Sequence, residues 1–452
     1  MTARFPLFLL LMATPVRAGD SVQFSAGPTL VQDPLLRDLV KQAMEKRPEL
    51  AQARSQVAAE HERAPQGRVL PDPTLSLGIQ NDGFRDIQIG KMETSWVSIV
   101  ASQTFPWVGK RGLRSQVAGL DAAGAETDLQ RVTLSVAAEV ESGYVNLLLV
   151  RDQLGLLGKL ETLWTQSEGL ARARYEAGQG AQSDLLRAQL ERNRLRQRRW
   201  ALQAEERQRL AALNRLRGRP LDEPMVTTRS LTDLPDPELS EAQQAVSRAE
   251  EQSPELHRAL LQGEQADRRV DLARKERWPD VTVSAGVMPR GGNFSTMWQA
   301  GVAFNVPVWT VQKQAHAISE NQARGRAARD GAEAIRRLLQ QRVYERLAAL
   351  QSLLEANRLY RSGLLIQSEA TVTSTLAQYQ VGAVGFASVL EALAGYVADQ
   401  NGYLDSLAAA QQIAIAERAV SLDAPGATIS VAAVASSPGP SASESSSSPP
   451  RM

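Results

Sequence analysis

The sequence lacks cysteine and contains only three histidines, so most of the side chains that bind transition metals or act as nucleophiles are missing. Disulfides, thiolate zinc sites, iron–sulfur clusters and cysteine catalysis are therefore excluded. His61, His257 and His316 are too scattered to indicate a metal centre or a catalytic triad. The sequence also contains neither a nucleophile elbow nor a phosphate-binding loop. We expect no catalytic residues and no bound metal or cofactor.

The chain also lacks an excess of either charge, with 51 Lys and Arg against 50 Asp and Glu. Proteins that bind nucleic acid normally carry an excess of basic residues that neutralises phosphates. Five arginines crowd the segment 192–199, but their spacing spreads them around a helix and glutamates lie nearby. The segment indicates a solvated or protein-contacting surface, and we expect no nucleic-acid partner.

The N-terminus has the pattern of a secretory signal. Arg4 precedes an apolar run from 5 to 13, and Ala18 offers a small residue for cleavage. The run has roughly half of the ~20 residues that a helix needs to cross a bilayer. We predict a signal peptide at 1–18 and an N-terminal extension at 19–34. An exported chain without a later helical anchor is either soluble outside the inner membrane or inserted as a β-barrel.

Proline is missing from two long stretches, 107–219 and 308–424, and is common between them. Because proline interrupts helices, both stretches permit very long helices. Leucines that recur every seven residues in the first stretch are typical of a coiled-coil seam. We predict a helix from about 111 to 177, roughly 100 Å long, flanked by helices of about half that length at 35–69 and 183–216.

The two halves of the chain repeat each other. Four motifs recur in the same order, 201 to 208 residues apart, at 47–50 and 253–256, 71–78 and 279–286, 105–107 and 306–309, and 175–178 and 379–382. A period this long indicates a duplicated domain rather than a solenoid.

The two repeats and the proline-rich segment between them define the domain boundaries. We place the first repeat at 35–218, a proline-rich linker at 219–238 and the second repeat at 239–422. The Ser- and Pro-rich segment 423–452 has too little apolar surface to fold, and we predict a disordered tail there.

Four segments alternate apolar and polar residues, as strands with two different faces do. They lie near 74–80, 97–102, 281–287 and 299–306, and five of the seven tryptophans flank them. The pattern is typical of membrane strands framed by an aromatic belt, and a small soluble sheet with one buried face shows the same alternation. Four strands are fewer than the eight of the smallest membrane barrels. If they span a membrane, several chains must pool them.

Three motifs resemble the outer-membrane efflux protein family typified by TolC. They are Pro71-Asp72-Pro73 before a strand, the run from Gln103 to Gly112 after the hairpin, and Tyr175-x-x-Gly178 at a helical turn. The likeness covers roughly residues 35–420, and its motifs recur in both halves. The Phe-Pro-Trp-Val-Gly-Lys-Arg-Gly part of the run is especially similar to the branch that serves heavy-metal pumps of the Czc and Cus type.

The resemblance implies a mainly α fold with a small β part. Three chains are expected to pool four transmembrane strands each into one twelve-stranded barrel, which a long coiled-coil helical barrel continues. It also implies an outer-membrane location with a large periplasmic part, and a passive exit duct for heavy-metal cations. The expected partners are two further copies in a homotrimer, a periplasmic adaptor (membrane fusion) protein, an inner-membrane pump of the resistance–nodulation–division (RND) class, and outer-membrane lipid.

Two alternatives remain open at this point. The first is a conduit for multidrug or secretion systems, because such a conduit itself discriminates little between substrates. The second is a periplasmic coiled-coil adaptor or scaffold. Adaptors carry one long hairpin between compact β-rich segments, whereas this chain has two whole repeats with strands framed by tryptophan.

The resemblance places a gate at the two Tyr-x-x-Gly turns. The tips of the turns are Tyr175, Gly178 and Gly382. Asp184 and Tyr379 match family positions whose inter-helix hydrogen bond keeps the tips closed. Asp184 equally fits a helix N-cap, and Tyr379 equally fits a packing residue at the tip.

Three further positions near the second turn match gate positions of the family. Val384 stands where the family prototype has an arginine, so one arm of the closed state is missing. Ser388 and Glu391 match two aspartates that line the narrowest ring, so the aperture is expected to retain one carboxylate per chain. Three such carboxylates around one axis would favour cations over anions. A solvated helix face is the competing explanation for Glu391.

Overall fold

The computed structural model of the chain describes residues 33–422. The predicted signal peptide at 1–18, all but the end of the predicted extension at 19–34, and the predicted tail at 423–452 lie outside the described residues.

Four helices form the first repeat. They are α1 (Pro34–Lys46), α2 (Pro48–Gln66), α3 (Lys110–Glu176) and α4 (Gln182–Leu216). The single helix predicted at 35–69 is wrong, because it breaks at Arg47, whose backbone is extended (φ −69°, ψ 124°). The ring of Pro48 disfavours a helical conformation at the preceding residue, so α1 ends and α2 begins there.

Five helices form the second repeat. They are α5 (Ala242–Gln252), α6 (Pro254–Lys275), α7 (Ala315–Leu359), α8 (Leu365–Gln380) and α9 (Phe386–Arg418). Pro254 separates α5 from α6 as Pro48 separates α1 from α2. The duplication of the sequence is therefore also visible in the helix boundaries. Two π-helical segments, Thr310–Gln314 and Tyr360–Leu364, adjoin α7, and the second leads directly into α8.

The longest helix is the spine of the molecule. With 67 residues, α3 is about 100 Å long, and α2, α4, α6 and α9 all pack along it. The leucine seam predicted for α3 lies in this packing: Leu156 and Leu160 are buried, and Leu163 and Leu170 are partly buried against the same apolar cluster. Among residues 33–422, no helix combines the length and apolar character that a membrane crossing requires.

A four-stranded antiparallel sheet caps one end of the helices. Its strands are β1 (Thr74–Gln80), β2 (Trp96–Phe105), β3 (Val281–Met288) and β4 (Met297–Phe304), and they pair in the order β1-β2-β3-β4. Each repeat supplies one hairpin, and the pairing of β2 with β3 joins the two repeats.

A buried ion pair fixes the junction between sheet and helices. Lys110, in the first turn of α3, is 2% exposed, and its Nζ donates to Asp280 Oδ1 and to the carbonyl of Trp278, both at 2.9 Å. Asp280 Oδ1 also accepts from the backbone N–H of Trp107 at 2.8 Å. The indoles of Trp107 and Trp278 stack with centroids 5.2 Å apart. The end of the first hairpin is thus held against the start of the second.

The ionisation of Asp280 is part of this arrangement. Burial raises the pKa of the carboxyl, but the hydrogen bonds from Lys110 and Trp107 and the charges of Lys110 and Arg114 outweigh it, so the pKa lies below its ordinary value. A carboxyl whose pKa is depressed in the folded state stabilises that state above its unfolded pKa. This stabilisation is lost as the pH falls through the folded pKa.

We expect Asp280→Asn to destabilise the folded protein by about 3 kcal/mol, because it leaves the buried ammonium of Lys110 without its closest carboxylate. Thermal unfolding of the detergent-purified protein at neutral pH measures the effect. Asp271→Asn, in the more exposed last turn of α6, is the matched control and should leave the melting temperature nearly unchanged. Equal stability of Asp280→Asn and the wild type would contradict this assignment.

Candidate functional site

The strand register sorts the side chains of the sheet into two faces, because residues directly opposite each other in an antiparallel pair point to the same side. One face is apolar except for Gln103 and consists of Leu75, Leu77, Ile79, Val97, Ile99, Ala101, Gln103, Phe105, Val281, Val283, Ala285, Val287, Trp298, Ala300, Val302 and Phe304. The other face carries most of the polar strand residues, including Thr74, Ser76, Ser98, Ser102, Thr104, Thr282, Ser284 and Gln299.

The apolar face is open along its whole length. Leu77 and Ile79 are each 72% exposed, and Trp298 is 79% exposed. Exposed apolar surface of this extent is rare on a soluble monomer and marks contact with another protein or a membrane. Strands that alternate apolar and polar residues in this way are the pattern of a transmembrane sheet with lipid on one side and water on the other.

The sheet also has two open edges. Within the described part of the chain, no strand pairs with the outer side of β1 or of β4. A row of unpaired backbone N–H and C=O groups is costly in lipid, where no water can satisfy it. The sheet therefore requires strands from other chains wherever it enters a membrane.

The opposite end of the rod carries two equivalent helical turns. Gly178 follows α3 with φ +71°, and Gly382 follows α8 with φ +79°, a backbone conformation that favours glycine. In each turn the N–H of the residue after the glycine donates to a carbonyl five residues earlier, from Gln179 to Arg174 and from Ala383 to Gln378. Both turns have the helix-terminating geometry of a Schellman motif, as the repeated sequence motif predicted.

Arg174 links the two turns within one chain. Its Nη2 donates to the carbonyl of Gln179 in its own turn at 3.1 Å, and its Nη1 donates to the carbonyl of Tyr379 in the other turn. The guanidinium also lies 4.8 Å from the centre of the Tyr379 ring, which packs edge-on against Phe386. Sequence analysis missed this residue. A basic side chain in the last turn of a helix opposite the aromatic Tyr379 was the available signal.

Tyr379 is buried, and Asp184 lies near enough to affect it electrostatically. Burial, and secondarily the negative charge of Asp184, raise the pKa of Tyr379 against the opposing charge of Arg174. The hydrogen bond to Asp184 that the resemblance implied is not formed within the chain, since the Tyr379 hydroxyl has no partner among the described residues. The N-cap alternative for Asp184 is wrong, because Ala181 occupies that position and Asp184 lies in the first turn of α4.

Ser388 and Glu391 lie on the open side of α9. Both are exposed, whereas Phe386, Val389 and Leu393 on the other side of the helix are buried in the coiled coil. The structure brings Asp184 and Tyr379 together and leaves Ser388 and Glu391 on a separate exposed face. Tyr175 is exposed at the first tip.

No group of three or more His, Cys, Asp or Glu side chains suited to a metal ion occurs within residues 33–422. Glu141 is buried and forms an ion pair with Arg418. Burial raises the pKa of the Glu141 carboxyl against the opposing charge of that arginine. The ion pair serves the packing of α3 against α9.

Solved structures with the same fold are outer-membrane channels. CusC is similar with a TM-score of 0.73 at 19% identity, over 86% of this chain and 93% of that one. The outer-membrane channel OprN has a TM-score of 0.73 at 17% identity, over 86% and 90%. The open state of the MtrE outer membrane channel of Neisseria gonorrhoeae has a TM-score of 0.71 at 19% identity, over 86% and 89%. No curated protein sequence shows a significant match to the chain.

The family comparison agrees with the internal duplication. The sequence model of the outer membrane efflux proteins matches residues 39–219 and again residues 245–424, one match for each repeat. Together the two matches cover most of the 452 residues. The chain therefore belongs to the outer membrane efflux protein family, and it is an outer-membrane efflux channel of the tripartite kind rather than an enzyme.

Proposed function

We propose that three copies of the chain form a passive exit duct that carries heavy-metal cations across the outer membrane. An inner-membrane RND pump drives the transport, and a periplasmic adaptor joins the pump to the duct. The observation that carries the proposal is the sheet with one open apolar face, one polar face and two unpaired edges.

The number of strands requires more than one copy, and a trimer is the assembly that the family resemblance implies. Four strands per chain cannot close a membrane barrel, for which about eight are the minimum, whereas three copies supply twelve. In such a ring, β1 of one copy pairs with β4 of the next, so every backbone group finds a partner. The apolar face then contacts lipid, and the polar face lines the water-filled interior.

The helices support a long periplasmic part. Because α3 begins beside the sheet and is about 100 Å long, its far end lies that distance from the membrane surface. The two helical turns are therefore at the end of the duct that faces the inner membrane. The periplasmic adaptor or scaffold alternative is not retained, because both repeats match a family of outer-membrane channels.

Two observations support heavy-metal cations as the cargo. The run from Phe105 to Gly112 is similar to the Czc and Cus branch, and CusC is among the similar solved structures. A multidrug or secretion conduit is the alternative, and OprN and MtrE share the fold equally well. Because the duct itself is a passive tube, we assign the choice of substrate to the pump.

The gate is proposed at the two turns. Tyr175, Gly178 and Gly382 form the tips, and Arg174 holds them together through the carbonyls of Gln179 and Tyr379. Arg174 thereby provides a hydrogen bond between the two turns, which the apolar side chain of Val384 cannot provide. We assign Asp184 and Tyr379 to the closed state, in which the side chain of Asp184 lies near that of Tyr379.

The aperture is proposed on the exposed face of α9. Ser388 and Glu391 lie there one turn apart, free of the coiled-coil packing. Three copies of Glu391 around the axis of a trimer place like charges close together, which attracts cations and repels anions.

Deleting the gene should make the producing bacterium several-fold more sensitive to heavy-metal cations, because the pump then lacks its outlet. Growth inhibition by copper, silver, zinc, cobalt and cadmium salts measures this, and a plasmid copy of the gene should restore resistance. Organic dyes and antibiotics are the comparison. Increased sensitivity to organic compounds alone would replace the metal assignment by the multidrug alternative, and no change with either class would contradict an efflux role.

Arg174→Ala should increase ion leakage through the closed channel about tenfold or more, because it removes the charge-assisted hydrogen bond to the carbonyl of Tyr379 that joins the two turns, and such a bond is worth at least about 1.5 kcal/mol. Single-channel conductance in planar bilayers measures the open fraction. Arg172→Ala, on the exposed side of the same helix, removes the same charge and should leave leakage unchanged. Equal leakage of the two variants would eliminate Arg174 as the tie.

Glu391→Gln should lower the preference of the open channel for cations, because it removes a ring of three negative charges without changing its size. The reversal potential under a salt gradient measures the preference. Glu62→Gln, on the exposed surface of α2, is the charge-matched control. An unaltered reversal potential in Glu391→Gln would exclude this residue from the aperture.

A further inference from the structure

The region where the sheet meets the helices is strongly basic. We define the junction as the four segments 67–73, 106–114, 271–280 and 305–314, which connect the strands to α2, α3, α6 and α7. Its cations are Arg68, Lys110, Arg111, Arg114, Arg274, Lys275, Arg277 and Lys313, and its anions are Asp72, Asp271, Glu276 and Asp280. Eight against four gives +4 in the junction, whereas the whole chain has a net charge of only +1.

Three of the four carboxylates of the junction, Asp271, Glu276 and Asp280, are already paired with cations. Lys110 forms an ion pair with Asp280 at 2.9 Å, and its Nζ lies 3.6 Å from one carboxylate oxygen of Glu276. Arg114 forms an ion pair with the other oxygen of Glu276 at 3.2 Å. Asp271 is shared by two arginines on its own helix, at 3.3 and 3.9 Å. Arg277 forms no ion pair within residues 33–422, with Asp72 or with any other carboxylate.

Arg277 borders an open hollow on the protein surface. A hollow of about 470 Å³ is lined by Arg274, Arg277, Trp278 and Ile318. Trp278 is 51% exposed although one side of its indole stacks on Trp107. The hollow thus combines two guanidinium groups with an exposed indole and an aliphatic wall. Guanidinium groups bind phosphate oxygens in a bidentate manner, and indoles concentrate where apolar and polar surroundings meet.

The position of the hollow relative to the sheet limits which class of ligand fits it. Trp278 lies three residues before Val281, and Trp107 lies two residues after Phe105, and both strand residues belong to the apolar face. The apolar face therefore begins within two or three residues of the tryptophans that border the hollow. Free phosphate has no apolar part that could contact this surface, whereas a phospholipid can place its acyl chains along it.

We propose that Arg274, Arg277 and Trp278 bind the phosphodiester headgroup of an anionic phospholipid from the periplasmic leaflet of the outer membrane. The inference rests on the proposed orientation, in which the apolar face contacts lipid and the helices extend into the periplasm. The headgroup neutralises Arg277, the indole of Trp278 lies at headgroup depth, and the acyl chains cover the apolar face near Val281 and Phe105. One such lipid per chain fixes the depth of the sheet in the membrane.

The test is native mass spectrometry of the intact detergent-purified protein, titrated with phosphatidylglycerol. The wild type should appear as a trimer that retains one lipid per chain. Arg277→Gln should weaken retention roughly tenfold and Arg274→Gln/Arg277→Gln roughly a hundredfold, since a charge-assisted bond contributes about that factor. Because Arg277 has no ion pair to lose, its substitution leaves folding intact, and thermal unfolding of the same samples verifies this.

Arg85→Gln/Lys91→Gln is the matched control, because it removes two charges from the loop at the opposite end of the sheet. It should retain lipid as the wild type does. Phosphatidylcholine, which is zwitterionic, and soluble glycerophosphoglycerol, which lacks acyl chains, are the comparison ligands, and both should bind much more weakly than phosphatidylglycerol.

Three results would overturn the inference. They are undiminished lipid retention in Arg274→Gln/Arg277→Gln, an equal loss in the control variant, and equal binding of glycerophosphoglycerol, which would indicate a site for soluble phosphate esters. Conductance of the same samples in planar bilayers tests the duct independently. Absence of conductance would contradict the proposed function and still leave the lipid titration readable.

Discussion

The unpaired edges of a four-stranded sheet determine how this molecule must be assembled. A sheet with one almost wholly apolar face is stable only where lipid covers that face, and lipid tolerates no open backbone edge. The chain resolves neither requirement alone, since β1 and β4 are both free on one side within the described residues. Closure by further copies satisfies both at once. The rest of the fold then follows, because a helical rod attached to every hairpin becomes the wall of a tube.

The helical rod connects the sheet to the turns at the far tip over a long distance. One continuous helix, α3, reaches from the buried pair of Lys110 and Asp280 beside the sheet to Arg174 at the tip. Both contacts tie the first repeat to the second, one at each end of the rod. Between them the two large apolar clusters hold α3 against its neighbours along its length. The two ends are therefore joined by one continuous helix that is packed along its length.

Much of this architecture could be predicted from the sequence, because it depends on local patterns. The absence of proline over 107–219 permitted a long helix, and the helix predicted at about 111–177 agrees with α3 to within a residue at each end. The alternation of apolar and polar residues predicted the strands. Contacts between distant segments were not accessible in the same way. The pairing of Arg174 with the carbonyl of Tyr379 depends on how two turns 205 residues apart meet in space. The hydrogen bond expected between Asp184 and Tyr379 was inferred from a resemblance, and the single chain does not form it.

The two π-helical segments have a consequence for the symmetry of the assembled tube. Two identical repeats per chain would give three copies a six-fold arrangement of hairpins. However, Tyr360–Leu364 interrupts the second long helix, whereas Lys110–Glu176 continues without such a segment. One additional residue in a helix turns everything beyond it by about 100°. Beyond Tyr360–Leu364 the second repeat is consequently rotated relative to the first, so the two halves of one chain are no longer equivalent along this part of the rod.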